Sequence, residues 1–360
     1  MNMNPKLLDN ALLLRLIAVA LFPLALMSCD RYSAHGSGEN SIYYWRTTLK
    51  LSDEERNFLK KHDVRKVYVR FFDVDRCYDA KSVETIVPEA TIAFNDTFPK
   101  EIELVPTVYI TYDAISAMRF KETEYAEKIL RRVEAICRSK GICFRELQLD
   151  CDWTKRNRDY FFRLCEAMKE RLDSSQSLSC TIRLHQLVQT PPPVDKGVLM
   201  VYNTGNLMDV TEENSIFSYR NIEPYLRDGR LSAYSLPLDV AYPAYGWSLV
   251  YNKGGDGKYH FNRITKRTDF SSYAALKKTG HNMYEAISDI DLSDGNQSPD
   301  YIFEGYRIRV ERPESKEILK VKELIDRKLG NRQHNNILYH LDETQFSHYS
   351  DNAISEIYRP

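Results

Sequence analysis

From residue 64 onward, short runs rich in β-branched and aromatic residues alternate with longer amphipathic stretches, and that rhythm leaves few folds open. The candidate strands are Val67–Asp73, Ala90–Phe94, Leu104–Thr111, Phe144–Asp150, Leu178–Leu184, Val198–Asn203, Leu236–Tyr242 and Ile337–Leu341. Between the third and fourth, Glu122–Lys140 carries Tyr125, Ile129, Val133, Ile136 and Cys137 at helical spacing, with Gly141 placed to end the helix. Between the fourth and fifth, Asn157–Leu172 puts Phe161, Leu164, Cys165, Met168 and Leu172 on one face, with Asn157 as its cap. Strands alternating with helices of this length imply parallel pairing through right-handed crossovers. Eight such strands predict an α/β chain folded as a (β/α)8 TIM barrel, whose usual size is about 250 residues plus insertions. The stretch from Lys253 to Arg332 exceeds one βα unit. It holds a strand-like piece, Tyr301–Val310, and a helical piece, Ser315–Leu329, so an α+β insertion is expected at about 253–332, between strands 7 and 8.

The N-terminus carries a different signal. Lys6 and Arg15 precede an uncharged apolar run from Leu16 to Met27, too short for the roughly 20 residues of a membrane-spanning helix. It has the form of a signal-peptide core. The run closes on Leu26-Met27-Ser28-Cys29, which resembles the lipobox of bacterial lipoproteins, although Met27 departs from the small or β-branched residue usual there. The expectation is a lipoprotein signal peptide over 1–28, a lipid on Cys29, a tether over 29–44 and a barrel over 45–360. The protein would then sit on the membrane surface of a bacterial cell envelope, at the outer membrane or its periplasmic face. An ordinary secretory signal with an incidental cysteine is the alternative.

Charge and cysteine usage exclude other classes. Lys+Arg 50 against Asp+Glu 51 leaves a net charge of -1 and no long basic block, which argues against nucleic acid as a partner. Beyond Cys29, the six cysteines Cys77, Cys137, Cys143, Cys151, Cys165 and Cys180 show no CxxC or zinc-finger spacing. Most lie in apolar-periodic segments, where a free Cys behaves as a small buried hydrophobe, so neither a metal site nor an obligatory disulfide is expected. There is no Gly-rich phosphate loop and no cofactor is implied.

In a barrel, functional residues gather at the C-terminal ends of the strands. Those ends carry Asp73 and Asp75, Tyr112 and Asp113, Asp150, Asp152 and Trp153, Arg183 and His185, Tyr202 and Asn203, Tyr245 and Trp247, then Asp342 and Glu343. Carboxylates suited to acid–base work beside aromatic faces suited to sugar rings point to a glycan site. In Leu147-Gln148-Leu149-Asp150-Cys151-Asp152-Trp153, alternation turns Asp150 and Asp152 to the same side, the barrel interior, where the two carboxyls should couple.

Asp150-Cys151-Asp152-Trp153 resembles the D-x-D-W core of the fourth-strand signature of glycoside hydrolase family 18, the chitinase-like barrels, whose full pattern is D-x-x-D-x-D-x-E. Met200-Val201-Tyr202-Asn203 resembles that family's sixth-strand M-x-Y-D, and Tyr242-Pro243-Ala244-Tyr245-Gly246-Trp247 its seventh-strand P-x-Y-G. The resemblance implies a barrel that hydrolyses or binds a polysaccharide or amino-sugar glycan, with Asp150 and Asp152 at the catalytic centre and Tyr202 positioning substrate. Asp73, Asp75, Asp113, Trp153, Asn203, Tyr245, Trp247 and Glu343 are the expected substrate-binding residues.

The departures bear on chemistry. Thr154 stands where the family's acid Glu belongs, Leu147 where its first Asp belongs, and Asn203 replaces the sixth-strand Asp. Threonine cannot donate a proton at a useful pKa. Either another carboxylate, such as Asp150, Asp113 or Glu343, supplies the acid, or the barrel binds glycan without cutting it. A structural envelope lipoprotein whose barrel mouth is filled by its own side chains is the third alternative.

Overall fold

The computed structural model describes residues 38–78, 83–293 and 300–359. The expected signal peptide, Cys29 and the tether up to residue 37 lie outside the described residues. Eight parallel strands close into a barrel: β1 (Asn40–Tyr44), β2 (Val64–Tyr78), β3 (Glu103–Ile110), β4 (Glu146–Cys151), β5 (Ser177–Arg183), β6 (Lys196–Met200), β7 (Leu238–Pro243) and β8 (Asn336–Tyr339). Each pairs with the next, and β1 completes the circle by pairing with both β2 and β8.

The eight-strand barrel is as expected, but two of its assignments change. Asn40–Tyr44, assigned to the tether, is β1, with Ile42, Tyr43 and Tyr44 buried. Four of its five residues are buried, on both faces of the strand, so it shows no alternation to mark it in sequence. Ala90–Phe94 is not a barrel strand. Ala90 has φ +46°, which breaks the extended run, and Ala93–Phe94 pairs only with Thr48–Leu49 outside the barrel. The strand β2 also outgrows the barrel: its far half pairs antiparallel with Glu84–Glu89 as a hairpin above the rim.

Helices cover the barrel where the apolar spacing placed them. Helix α1 (Asp53–Lys61) begins at a capping box in which Ser52 and Glu55 satisfy each other's backbone N–H groups. Helix α2 (Glu122–Lys140) ends at Gly141, whose φ of 64° is the left-handed conformation that glycine adopts without strain. Helix α3 (Arg158–Lys169) has Asn157 at its N-cap, yet the Asn157 side chain accepts from the backbone N–H of Thr154, not from its own helix.

The excursion between β7 and β8 starts earlier and is simpler than expected. From Trp247, five antiparallel strands form a separate sheet in the order 259–265, 247–253, 307–311, 283–286, 276–278. The sheet has its own small core around Val250, Phe270, Ile290, Ile302 and Ile308. Helix α4 (Ser315–Leu329) is not part of it. Its buried face, Ile318, Val321, Ile325 and Leu329, joins the main core, making it the barrel's crossover helix into β8. Helix α5 (Asp351–Tyr358) closes the chain, and its Tyr358 hydroxyl donates to the carbonyl of Ser41 in β1 at 3.1 Å.

Candidate functional site

The ends of β4 and β5 build the centre of the rim. Asp150, the penultimate residue of β4, is only 5% exposed and its Oδ1 accepts from the Thr181 hydroxyl at 2.6 Å. Arg183, the last residue of β5, donates from Nη2 to Asp150 at 3.1 Å and from Nε to Asp152. The in-register pairing of β4 with β5 makes this bridge, because it sets Thr181 beside Asp150 and Arg183 beside Asp152. The two carboxylates therefore share one guanidinium. Asp152 is the accessible member, with half its side chain exposed.

Burial raises the Asp150 carboxyl above its usual range, Arg183 opposes that rise, and the Asp152 charge adds to it. Burial beside Asp150 and Asp152 likewise pushes the Tyr109 hydroxyl, on β3, up to about 12. On Arg183, burial works against the charged form, but the two aspartates outweigh it and hold the guanidinium firmly protonated.

Aromatic rings fill the other side of the mouth. Tyr202, after β6, lies edge-on to Tyr245 at 6.0 Å and tilted against Tyr339 of β8 at 5.0 Å. The Tyr245 hydroxyl donates to Asn203 Oδ1 at 2.7 Å, and Asn203 is held at φ +55°. Trp247 stands edge-on to Tyr245, and its indole N–H donates to Glu311 Oε2 at 2.7 Å. Trp45, just past β1, reaches Tyr339 at 5.9 Å and carries the Arg70 guanidinium over its ring. Arg70 in turn holds Asp73 through a two-point ion pair.

The rim thus gathers Asp73, Asp150, Asp152, Tyr202, Asn203, Tyr245 and Trp247. Other expected residues lie elsewhere. Trp153 is fully buried and packs against Phe161 and Phe162 of α3, so it belongs to the helix layer and cannot offer a face to a sugar. Asp75 accepts from the Thr111 hydroxyl at 2.7 Å, and the exposed Asp113 pairs with Arg76 at 3.0 Å, which places both on the β2 hairpin side of the rim. Glu343 opens a short helix after β8, with Oε2 buried and unpartnered. Arg183, Tyr339, Trp45 and Arg70 are the residues that sequence reasoning did not assign to the site.

Position 154 has a local duty. The Thr154 backbone N–H donates to Asn157, and its hydroxyl accepts from the Arg156 N–H at 3.2 Å, so it shapes the turn that enters α3. Next to it an open cavity of about 590 Å³ is bounded by Tyr112 after β3, Thr154 to Arg156 after β4, and His185, Val188 and Gln189 after β5. Burial lowers the His185 pKa, Asp152 opposes that and Arg183 reinforces it. Among the described residues no group of three or more His, Cys, Asp and Glu side chains is placed to hold a metal ion.

Tyr202 and Tyr245 are buried, so what the arrangement offers a hydroxyl-rich ligand is the Asp152 carboxylate and the partly exposed rings of Trp45, Trp247 and Tyr339. It does not offer a carboxylic acid at the position where the chitinase-type reaction takes its proton. No family model matches the sequence, and no curated protein matches it. Solved structures do match the fold. The spore cortex-lytic enzyme SleL of Bacillus megaterium aligns with a TM-score of 0.50 at 12% identity, over 90% of this chain and 75% of that one. A chitinase from Chromobacterium violaceum aligns with a TM-score of 0.50 at 12% identity, over 89% of this chain and 98% of the chitinase. The chain shares the eight-stranded barrel fold of these structures, with Thr154 at the position where the fourth-strand signature it resembles carries Glu.

Proposed function

We propose that this chain is a lipid-anchored envelope protein whose barrel rim binds a polysaccharide or amino-sugar glycan without cutting it by the chitinase route. One observation carries the second half of that reading: Arg183 bridges Asp150 and Asp152 while Thr154 is spent on the turn into α3. In the chitinase-like family an acid at position 154 protonates the leaving oxygen and the aspartate at 152 orients the substrate acetamide. Here the proton donor is missing and the orienting carboxylate is already engaged by a cation. The partly exposed rings of Trp45, Trp247 and Tyr339 and the accessible edge of Asp152 remain available to ring faces and hydroxyls. A chitinase among the similar structures supports a glycan as the ligand class.

The test uses the full chain in detergent, assayed for reducing-end release from chitin oligosaccharides, peptidoglycan and host-type glycans, with glycan-dependent thermal unfolding measured in parallel. The expected result is a rise in Tm with at least one glycan and no turnover. Turnover abolished by Asp150→Asn or Asp152→Asn would overturn the binding reading and make the protein a hydrolase whose acid lies elsewhere. The anchor is read from Leu26-Met27-Ser28-Cys29. Metabolic incorporation of a clickable fatty acid should label the wild type and vanish in Cys29→Ala.

A further inference from the structure

The cavity over β3, β4 and β5 has a sign. Lys155 and Arg156 line it, no carboxylate does, and neither cation takes part in an ion pair among the described residues. Asp150 and Asp152, at the end of the same strand, are engaged by Arg183. A further feature of the lining suits a sugar ring. Tyr112 and Val188, 39% and 58% exposed, present an aromatic and an aliphatic surface in the same cavity.

We infer that this cavity receives an acidic sugar residue, with its carboxylate or sulfate held by Lys155 and Arg156 and its ring against Tyr112. The inference rests on the glycan-binding reading above and narrows it to a polyanionic glycan. The chain's near-zero net charge does not oppose this, since the recognition is local: two unpaired cations in a concave surface focus their field on whatever enters. Charge-assisted hydrogen bonds to an oxyanion are shorter and stronger than neutral ones, so the anionic group should dominate affinity at that position.

The test is calorimetric titration of the full chain in detergent with a chondroitin sulfate hexasaccharide, its desulfated form, and its desulfated and carboxyl-reduced form. The expected result is a loss of about tenfold or more in affinity where the recognised anion is removed, with a preference that weakens as salt rises. The step at which affinity falls tells sulfate from carboxylate. The double variant Lys155→Ala/Arg156→Ala, both surface positions, should abolish the preference while leaving the weaker affinity for the neutral form and the Tm unchanged. Equal binding of all three oligosaccharides, or a preference that survives the double variant, overturns the acidic-sugar inference and leaves the glycan-binding reading standing. Binding of none of them, nor of any neutral glycan, overturns both.

Discussion

Glu146 shows how single residues set the conditions under which this barrel survives. It sits at the start of β4 inside the barrel, where its carboxylate accepts from Lys66 at 3.1 Å and Lys196 at 3.3 Å. Burial alone would raise its pKa, but the two ammonium groups overcome that and pull it down to about 2. A carboxyl whose folded pKa is depressed contributes stability that is complete above its unfolded value of 4.5 and disappears as pH falls toward 2. That amounts to on the order of 3 kcal/mol. Tm should therefore drop steeply between pH 4.5 and 2, and Glu146→Gln should flatten that segment while lowering Tm at neutral pH. A wild-type Tm that is level across that interval would refute the assignment. The site itself was unevenly legible at this scale. Asp150, Asp152, Tyr202 and Tyr245 were visible because strand ends and alternation are local properties. The same alternation puts Trp153 on the opposite face from Asp152, toward α3; the motif match drew it into the site against that evidence. Arg183 was in plain view after the fifth strand, yet its partners depend on the β4–β5 register, which no local pattern encodes.

Among the elements, the antiparallel sheet after β7 is fastened to the loop after β6 through the Tyr251 hydroxyl on the Leu207 carbonyl, Arg309 on the Asp209 carbonyl, and one fully buried carboxylate. Glu311, at the end of its central strand, accepts from the Ser215 N–H at 2.9 Å, the Ser215 hydroxyl at 2.5 Å, the Trp247 indole at 2.7 Å and Arg309 Nε at 2.7 Å. Arg309 and Glu311 are both fully buried. Removing one partner of such a pair leaves a buried charge uncompensated, which costs about 3–5 kcal/mol. Glu311→Ala should destabilise the protein by that order in chemical denaturation and shift the Trp247 emission to longer wavelength as the indole loses its anchor. A variant with unchanged midpoint and spectrum would show that the sheet is held some other way. Sequence periodicity found α2 to the residue and α3 closely, since both have apolar stripes long enough to count. It missed β1 because a five-residue strand buried on nearly every position has no period to detect. It merged α4 with the sheet because only packing reveals that the helix joins the main core.

The whole molecule depends on closure. With β1 in place every barrel strand has two neighbours; without it, β2 and β8 would each expose a row of unpaired backbone groups. A chain truncated to begin at residue 38 should therefore unfold in one cooperative transition, whereas one beginning at residue 45, the boundary that sequence reasoning favoured, should be insoluble or aggregate on purification. Equal solubility and Tm for the two would mean that the barrel does not need β1. The global fold was legible because eight strands and their crossovers impose one topology, even though two local errors, one strand too many and one too few, cancelled in the count.

The position of β1 has a mechanical side. Any pull transmitted along the chain from its N-terminal segment arrives first at this strand, which runs between β2 and β8 and parallel to both. Tension along a strand so placed loads its hydrogen bonds on both flanks together, in shear, instead of peeling them away one by one. The Tyr358 hydroxyl at Ser41 adds a strut from the other end of the chain. If the chain is tethered to a membrane while its rim grips a long polymer, the strand that bears the load is the strand that keeps the barrel shut.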